Sequence, residues 1–248
     1  MNYKRIYGPV KSRRLGDSLG VDMMPLKVCS LDCVYCECGA TTELTTARRE
    51  YIPASDIIAE LDDYLTNNTP PAFVTFGGSG EPTLNSGLGK IIRHIKEKFP
   101  SQKIALLTNS TLLNDRELRD EILPCDLILP SLDAVSDDAF RKINKPEASI
   151  SCAEIIAGLR LLSAEHKKSG GGGVDKGEIW LEVFIAAGIN DNDREIAWFK
   201  NVITEINPTR VQLNSLDRPG TVSGLSPVPR SVLAVIASKL APLPVEIV

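Results

Sequence analysis

The sequence predicts an α/β fold with a parallel sheet, and three observations support that prediction. Short runs rich in β-branched and other apolar residues alternate along the chain with longer segments whose apolar residues recur at helical spacing. Glycine and polar residues follow directly after several of the short runs, which is where α/β proteins build their sites. The length of 248 residues, 43% of them hydrophobic, suffices for one domain with a full core. We therefore expect about six strand–helix units joined by right-handed crossovers.

These units are expected in a regular order. A strand precedes residue 29, and the first helix covers residues 53–65, where we expect Ser55 to be the N-cap. The other strands are predicted at 72–76, 103–108, 126–133, 179–186 and 210–214, and the other helices at 91–99, 152–162, 193–206 and 231–240. Residues 244–248 are expected to add a seventh, edge strand, and the glycine-rich stretch 167–174 to form a loop extension on the far side of the molecule.

Residues 1–20 are expected to form a basic lead-in arm before a core over 21–240. The arm is interpreted either as a solvated face or as a contact surface for substrate or partner, and it carries Lys4, Arg5, Lys11, Arg13 and Arg14. The formal net charge of −4 means that the chain lacks the global basic field of a nucleic-acid binder. Six cysteines without an obvious disulfide framework, and no apolar run of about 18 residues, predict a protein of the reducing cytoplasm that does not contact a membrane.

Three thiols stand close together at Cys29, Cys33 and Cys36, in the spacing C-x3-C-x2-C. Thiols this close in an intracellular protein are more often metal-binding or redox-active than disulfide-bonded. Three thiolates that hold an Fe–S cluster leave one iron open, where a small chelating molecule could bind. Two alternatives stay open: core or disulfide-bonded cysteines, and a zinc site completed by Cys38. For zinc, the single residue between Cys36 and Cys38 makes a tight fit for two ligands of one ion.

With Tyr35 before its last cysteine, this loop resembles the cluster loop of the radical S-adenosylmethionine (radical SAM) superfamily. The resemblance implies that Cys29, Cys33 and Cys36 hold a [4Fe–4S] cluster whose fourth iron chelates the amino and carboxylate groups of S-adenosylmethionine (SAM). It also implies that Tyr35 lies near the adenine. Cys38 lies outside the pattern and is interpreted as a neighbouring or incidental thiol.

The same resemblance carries further expectations. It implies one domain over residues 1–248, folded as a partial (β/α)6 barrel of the TIM type, and a one-electron donor such as flavodoxin or ferredoxin. The segment 7–20 also resembles the one that precedes the cluster loop in a subgroup of the superfamily. That subgroup contains the wyosine-forming tRNA enzymes and many uncharacterised relatives.

A glycine-rich turn follows the strand predicted at 72–76. Glycines let the backbone approach a ligand closely, although the turn by itself could be an ordinary loop between strand and helix. One unit after the cysteines, it resembles the second landmark of the radical SAM superfamily, where backbone and acidic groups engage the ammonium of SAM. By that resemblance the SAM-binding residues are Gly78, Ser79, Gly80 and Glu81.

Polar residues at later strand ends are expected to surround one mouth of the barrel. Each alone could be a cap or turn residue, but as a ring they become contacts for SAM or substrate. For SAM we expect Asn109, Ser131 and Asp133, and for substrate Asn190, Asn214 and Arg218.

The resemblance therefore implies an enzyme that reductively cleaves SAM to methionine and a 5′-deoxyadenosyl radical, which abstracts hydrogen from a substrate. A metabolite, a peptide and a tRNA modified in the wyosine manner all remain open as substrates, and the acidic net charge favours one other than tRNA. The alternative from another class is a non-catalytic Fe–S or zinc module. Such a carrier has no need of the glycine-rich turn.

Overall fold

A computed structural model describes residues 3–12, 14–168 and 177–248. The strands are β1 (Ile6–Ser12), β2 (Gly16–Val21), β3 (Val28–Cys29), β4 (Glu43–Leu44), β5 (Phe73–Phe76), β6 (Ile104–Thr108), β7 (Leu127–Pro130), β8 (Glu178–Phe184), β9 (Arg210–Asn214) and β10 (Val245–Ile247). The helices are α1 (Ala54–Asn67), α2 (Leu88–Lys98), α3 (Arg116–Ile122), α4 (Asp137–Ile143), α5 (Cys152–Lys168), α6 (Asp193–Ile206) and α7 (Arg230–Leu240), with a short 3-10 helix at Pro82–Leu84.

In the described part of the chain, one sheet holds eight strands in the order β1-β2-β5-β6-β7-β8-β9-β10. All neighbours pair in parallel except β1, which pairs antiparallel with β2. Because β1 and β10 lie at opposite ends of this order, the sheet does not close, which confirms the predicted partial barrel. The six parallel strands from β2 to β9 match the expected units, and β10 is the expected seventh strand. Strands β3 and β4 form a separate parallel pair.

Side chains alternate between the two faces of the sheet, and this alternation separates the main core from the barrel interior. On β8, Leu181 and Val183 pack into the main core together with side chains from the helices, whereas Trp180 packs in a smaller cluster with Leu127 and Leu129. Both faces of the central strands are therefore covered, as is usual for parallel sheets. Within the described residues, no helix has the length and apolar character needed to cross a bilayer.

The first helix forms as predicted but begins differently. Ser55 does not cap it, because its hydroxyl contacts Asp56 and no backbone N–H of the helix. Instead the Glu50 carboxylate accepts a hydrogen bond from the Ala54 N–H at 2.8 Å. An acceptor for the orphan N–H groups is required at any helix start, and here it comes from upstream of Pro53. The Ser55 prediction was therefore wrong.

The boundary expected at residue 20 differs in the structure. Residues 16–21 form β2, a full member of the sheet, and Leu19 and Val21 are buried in the core. The N–H groups of residues 4–6 donate to the Glu60 carboxylate on α1, so this end of the chain is docked on the domain. Arg13, and residues 169–174 of the predicted glycine-rich loop, lie outside the described residues.

Candidate functional site

The cysteine loop begins at β3 and crosses to the carboxyl end of the sheet. The Asp32 N–H donates to the Asn144 carbonyl and the Val34 N–H to the Ile143 carbonyl, each at 2.9 Å, which ties the loop to the end of α4. Helix α4 follows β7, so the loop lies at the side where sites of parallel sheets form. Among the described residues, no three Cys, His, Asp or Glu side chains are arranged as ligands of a single metal ion.

Each of the three predicted ligand thiols contacts one N–H donor. Asn109 Nδ2 lies 3.5 Å from Cys29 Sγ, and Asn144 Nδ2 lies 3.4 Å from Cys33 Sγ. Lys27 Nζ lies 3.0 Å from Cys36 Sγ. These donors come from the ends of β6 and α4 and from the segment before β3, which meet only in the folded chain.

Burial makes two of these thiols, Cys29 and Cys33, poor thiolates by themselves. It is the main cause that raises the pKa of Cys29 to about 11, and nearby Glu81 adds to the shift. Burial also raises the pKa of Cys33 far above its ordinary value, with Asp133 contributing. A thiolate at either position needs a compensating positive centre, and a metal cluster with N–H donors on its sulfurs supplies one. A four-iron cluster takes each cysteine on a different iron, so these residues fit it without converging on one point.

Lys27 is a buried lysine, with 4% of its surface exposed. Its backbone has a positive φ of 58°, and its N–H donates to the Ser79 carbonyl at 2.9 Å. Burial alone would lower the pKa of Lys27, because it disfavours the charged ammonium. The neighbouring thiols, among which Cys36 has the largest effect, outweigh burial, so the pKa of Lys27 is raised. Sequence analysis missed this residue, because only the folded chain shows where its side chain ends.

The glycine-rich turn packs directly against the cysteine loop. A Cβ on Gly80 would lie 2.2 Å from the Val28 carbonyl oxygen, so only glycine fits there. Gly78 has a positive φ of 148°, which also favours glycine. The Asp22 carboxylate at the end of β2 accepts hydrogen bonds from the backbone N–H and the hydroxyl of Ser79. The two predicted landmarks are thus adjacent in space, with Asp22 as a further carboxylate that sequence analysis did not identify.

Glu81 is buried and heavily hydrogen-bonded. Its Oε1 accepts from the N–H and hydroxyl of Thr83 and from the Thr108 hydroxyl, at 2.6–3.1 Å. Its Oε2 accepts from the Asn109 N–H at 2.8 Å. Burial raises the pKa of Glu81, while the bonds from Thr83, Asn109 and Thr108 act in the opposite direction. Glu81 therefore joins the turn to the end of β6, and its predicted contact with the ammonium of SAM stays a prediction.

Tyr35 is held in one orientation by Asp133 and Phe184. Its hydroxyl donates to Asp133 Oδ2 at 2.5 Å, and its ring stacks on Phe184 with centroids 4.0 Å apart and planes 19° from parallel. Asp133 also accepts from Asn144 Nδ2 at 2.7 Å and from the Phe184 N–H at 3.0 Å. Asp133 thus links Tyr35 to the residue that contacts Cys33. Ser131 lies beside it, in a small pocket that Asn109 also lines.

One predicted substrate residue is buried and hydrogen-bonded within the chain. Asn190 is completely buried, and its amide bonds to the Ala186 N–H and to the carbonyls of Asp133 and Phe184 at 2.7–2.8 Å. Asn190 therefore closes the end of β8, and its predicted contact with the substrate stays a prediction. Its position after a strand gave no information on the direction of its amide.

The other two predicted substrate residues line one cavity of about 890 Å³. Asn214 has a buried Oδ1 without a hydrogen-bond partner, which leaves an acceptor unused. Arg218 is largely exposed and donates to Glu37 on the cysteine loop at 3.0 Å. Tyr35, Cys36 and Phe184 line the same cavity, so it extends from the cysteine loop into the barrel.

The segment between β9 and α7 covers this cavity on the side of the cysteine loop. The Thr221 N–H donates to the Val34 carbonyl at 2.9 Å, and its hydroxyl contacts the Cys33 carbonyl. Arg14 also lines the cavity, and its guanidinium reaches from the β1–β2 turn to Glu182 and to Gln212 Oε1, the latter at 3.0 Å. The lining therefore combines charged and polar groups with the aromatic pair and with aliphatic side chains.

Comparison with known proteins adds independent findings. The family model described as "Radical SAM superfamily" matches residues 23–197. The chain is 40% identical over 215 residues to a protein of Brachyspira hyodysenteriae named "GTPase Obg", covering 87% of this chain and 30% of that protein. It is 33% identical over 224 residues to the UPF0026 protein MJ1312 of Methanocaldococcus jannaschii, covering 89% of this chain and 66% of that protein.

The fold also has solved counterparts. A radical SAM methyltransferase from Sphaerobacter thermophilus superimposes with a TM-score of 0.69 at 17% identity, over 94% of this chain and 66% of that one. At this identity the likeness concerns the fold alone. The chain spans less than a third of the first relative and about two thirds of the second, so it matches only part of each.

Proposed function

Because the chain belongs to the radical SAM superfamily, we propose that it is an enzyme that cleaves SAM reductively and removes a hydrogen atom from a substrate held in the 890 Å³ cavity. One observation supports this most strongly. Three thiols, each with its own N–H donor, lie on a loop that packs against a glycine-rich turn, and one of them, Cys36, lines that cavity. Relatives named only as UPF0026 proteins fit an uncharacterised subgroup of the superfamily.

Cys29, Cys33 and Cys36 are the residues that would hold a [4Fe–4S] cluster. When bound, the cluster would supply the electron for splitting SAM into methionine and a 5′-deoxyadenosyl radical, and that radical would take hydrogen from the substrate. A one-electron donor such as flavodoxin or ferredoxin would deliver that electron. We also propose that the protein works in the reducing cytoplasm.

The protein residues orient SAM and exclude water. The close contact at Gly80 brings the backbone of the turn against the cysteine loop, where Ser79 and Glu81 would face the ammonium of SAM. Tyr35, fixed by Asp133 and Phe184, would present a rigid ring to the adenine, with Ser131 and Asn109 nearby. The segment between β9 and α7, which Thr221 holds against the cysteine loop, would keep water from the reacting atoms.

For the substrate, the cavity favours a small molecule or a short peptide segment over tRNA. Arg14 was expected on a basic arm, but its guanidinium is engaged inside the barrel with Glu182 and Gln212. Within the described residues this leaves Lys4, Arg5 and Lys11 as the basic groups of that arm. So few phosphate contacts predict weak binding to tRNA. The unused Oδ1 of Asn214 would accept a hydrogen bond from an N–H or O–H group of the substrate.

The test is anaerobic reconstitution of the chain followed by metal analysis and a SAM-cleavage assay. We expect about four iron and four sulfide per chain, and slow release of 5′-deoxyadenosine with dithionite and SAM. Cys33→Ala should lose the iron and sulfide, whereas Cys125→Ala, at a buried cysteine outside the loop, should keep them. Stoichiometric zinc without sulfide would contradict the cluster. A cluster that never cleaves SAM would favour the non-catalytic module.

Salt dependence separates tRNA from a small substrate. Tight binding of unmodified tRNA that weakens steeply between about 50 and 200 mM salt would show that the substrate is tRNA. We expect no such binding, and we expect that a small substrate accelerates 5′-deoxyadenosine release by ordering the cavity.

A further inference from the structure

Lys27 differs from the other two donors at the cysteine loop because it carries a positive charge. Cys29 and Cys33 contact neutral amides, those of Asn109 and Asn144. Cys36 contacts the Lys27 ammonium at 3.0 Å, the shortest of the three contacts. Among these three contacts, the one positive charge is therefore at Cys36.

The backbone of Lys27 is held in place by hydrogen bonds on both sides of the residue. Lys27 takes a left-handed conformation with φ at 58°, its N–H is bonded to the Ser79 carbonyl, and its carbonyl accepts from the Thr42 and Glu43 N–H groups at 3.0 and 3.2 Å. Its side chain is buried, and no carboxylate of the described residues forms an ion pair with it. Buried lysines without an anionic partner are rare because an uncompensated charge is costly to bury. The sulfur site is the group that this charge compensates.

We propose that the charge of Lys27 makes the cluster easier to reduce, an inference that rests on the proposed function. Reduction adds one electron from a one-electron donor to the cluster, and no bond forms or breaks. The net charge of the cluster becomes more negative by one, so a fixed cation next to a ligand sulfur stabilises the reduced state more than the oxidised state. Without this cation the reduction potential falls.

The experiment is a redox titration of the reconstituted protein without SAM, followed by electron paramagnetic resonance. In Lys27→Met the equilibrium constant for reduction should fall about tenfold, which moves the potential about 59 mV more negative. Lys27→Arg keeps the charge and should stay near the wild-type potential. Lys96→Met is the matched control, because Lys96 pairs with Asp126 at 2.6 Å, at the amino end of β7 and away from the cysteine loop. Its potential should not change.

The outcomes are distinguishable from those of the proposed function. A wild type that takes up no iron and sulfide contradicts the cluster itself. A Lys27→Met protein with full iron content and the wild-type potential overturns the role of the charge. If Lys27→Met does not assemble a cluster, Lys27→Gln, which keeps a hydrogen-bond donor, replaces it. The same negative shift in Lys27→Gln supports the proposal, and a wild-type potential there overturns it.

Discussion

At the scale of single residues, the site depends on side chains that serve two purposes. Asp133 accepts hydrogen bonds from Tyr35, Asn144 and the Phe184 N–H, so it fixes an aromatic ring and, through Asn144, the surroundings of Cys33. Glu81 likewise holds the glycine-rich turn to β6, and its charge adds to the effect of burial in raising the pKa of Cys29. Such a carboxylate contributes to stability and, under the proposed function, to ligand binding as well, so the two effects must be measured separately.

Glu81 allows that separation. Glu81→Ala removes an acceptor from Thr83, Thr108 and the Asn109 N–H, so we expect a loss of about 1–3 kcal/mol in the free energy of unfolding as well as weaker SAM binding. Glu81→Gln keeps an oxygen for the threonines and loses the charge. In this variant the cluster should remain and SAM affinity should fall by about 1.5–3 kcal/mol. Calorimetry on the reconstituted protein measures the affinity, and an unchanged value in Glu81→Gln would leave Glu81 with its structural role alone.

At the scale of elements, two segments far apart in sequence must touch for the site to exist. The glycine-rich turn follows β5 and the cysteine loop follows β3, and they meet where Gly80 faces the Val28 carbonyl. Because the Gly80 backbone faces the Val28 backbone here, no flexible side chain could move aside to make room for a Cβ at residue 80. This contact therefore controls the distance between the two landmarks.

Gly80→Ala tests that control. A methyl group 2.2 Å from the Val28 oxygen must displace one segment, so we expect a loss of about 1–3 kcal/mol, as for overpacked cores, together with reduced iron incorporation. Gly77→Ala is the matched control in the same turn, because its Cβ would only reach Leu107 at 3.4 Å. Thermal unfolding and iron content measure both effects. Equal behaviour of the two variants would show that the turn tolerates a side chain at Gly80.

A second contact between elements is electrostatic. Arg119 on α3 donates two hydrogen bonds to Glu165 on α5, at 2.7 and 2.9 Å, and two more to the carbonyls of Leu113 and Asn114. The bonds from Arg119 lower the pKa of Glu165 in the folded chain. The pair therefore stabilises the fold fully above the unfolded pKa of a glutamate, about 4.3, and this contribution is lost as the pH falls through the lowered folded value.

Glu165→Gln should reveal this contribution. At pH 7 we expect the variant to be less stable by about 1.5–3 kcal/mol, the range for hydrogen bonds to charged groups. As the pH falls below about 4, Glu165 becomes protonated and the difference from the wild type should shrink. Thermal unfolding of both proteins between pH 7 and pH 3 measures it. A difference that stays constant with pH would mean that packing, and not charge, links α3 to α5.

At the scale of the whole molecule, the sequence predicts periodic features well and three-dimensional contacts poorly. Helix α6 and strand β9 lie at the predicted bounds, because Asn192 caps the helix and apolar spacing marks both. Helices α3 and α4 were missed because seven residues are too few to show a helical period. Lys27 and Asp22 were missed because their partners come from the folded chain. The spacing of the cysteines predicts the ligand thiols, whereas the N–H donors that contact these thiols come together only when β6, α4 and β3 meet in the folded chain.

Arg14 connects the two sides of the open barrel. It extends from the turn between β1 and β2, at one edge of the sheet, to Glu182 on β8 and Gln212 on β9, near the other edge. The side chain of Glu182 is 14% exposed, so its charge is mostly removed from water. A carboxylate buried in this way depends on a cationic partner. The open sheet is thus bridged through its interior by an ion pair between its two sides.

A double-mutant cycle tests this bridge. Arg14→Leu leaves the Glu182 charge unpaired, and we expect a loss of about 3–5 kcal/mol, the range for breaking a buried pair. The cycle also needs Glu182→Leu and the double variant with leucine at both positions. The double variant has no unpaired charge, so it should be more stable than Arg14→Leu alone. The losses in stability measured for the two single variants should therefore not add up to the loss of the double variant. Lys11→Ala, at an exposed basic residue of β1, is the control and should change little. Additive losses in denaturant unfolding would mean that Arg14 acts by filling the interior, and that the two edges of the sheet hold their positions without the ion pair.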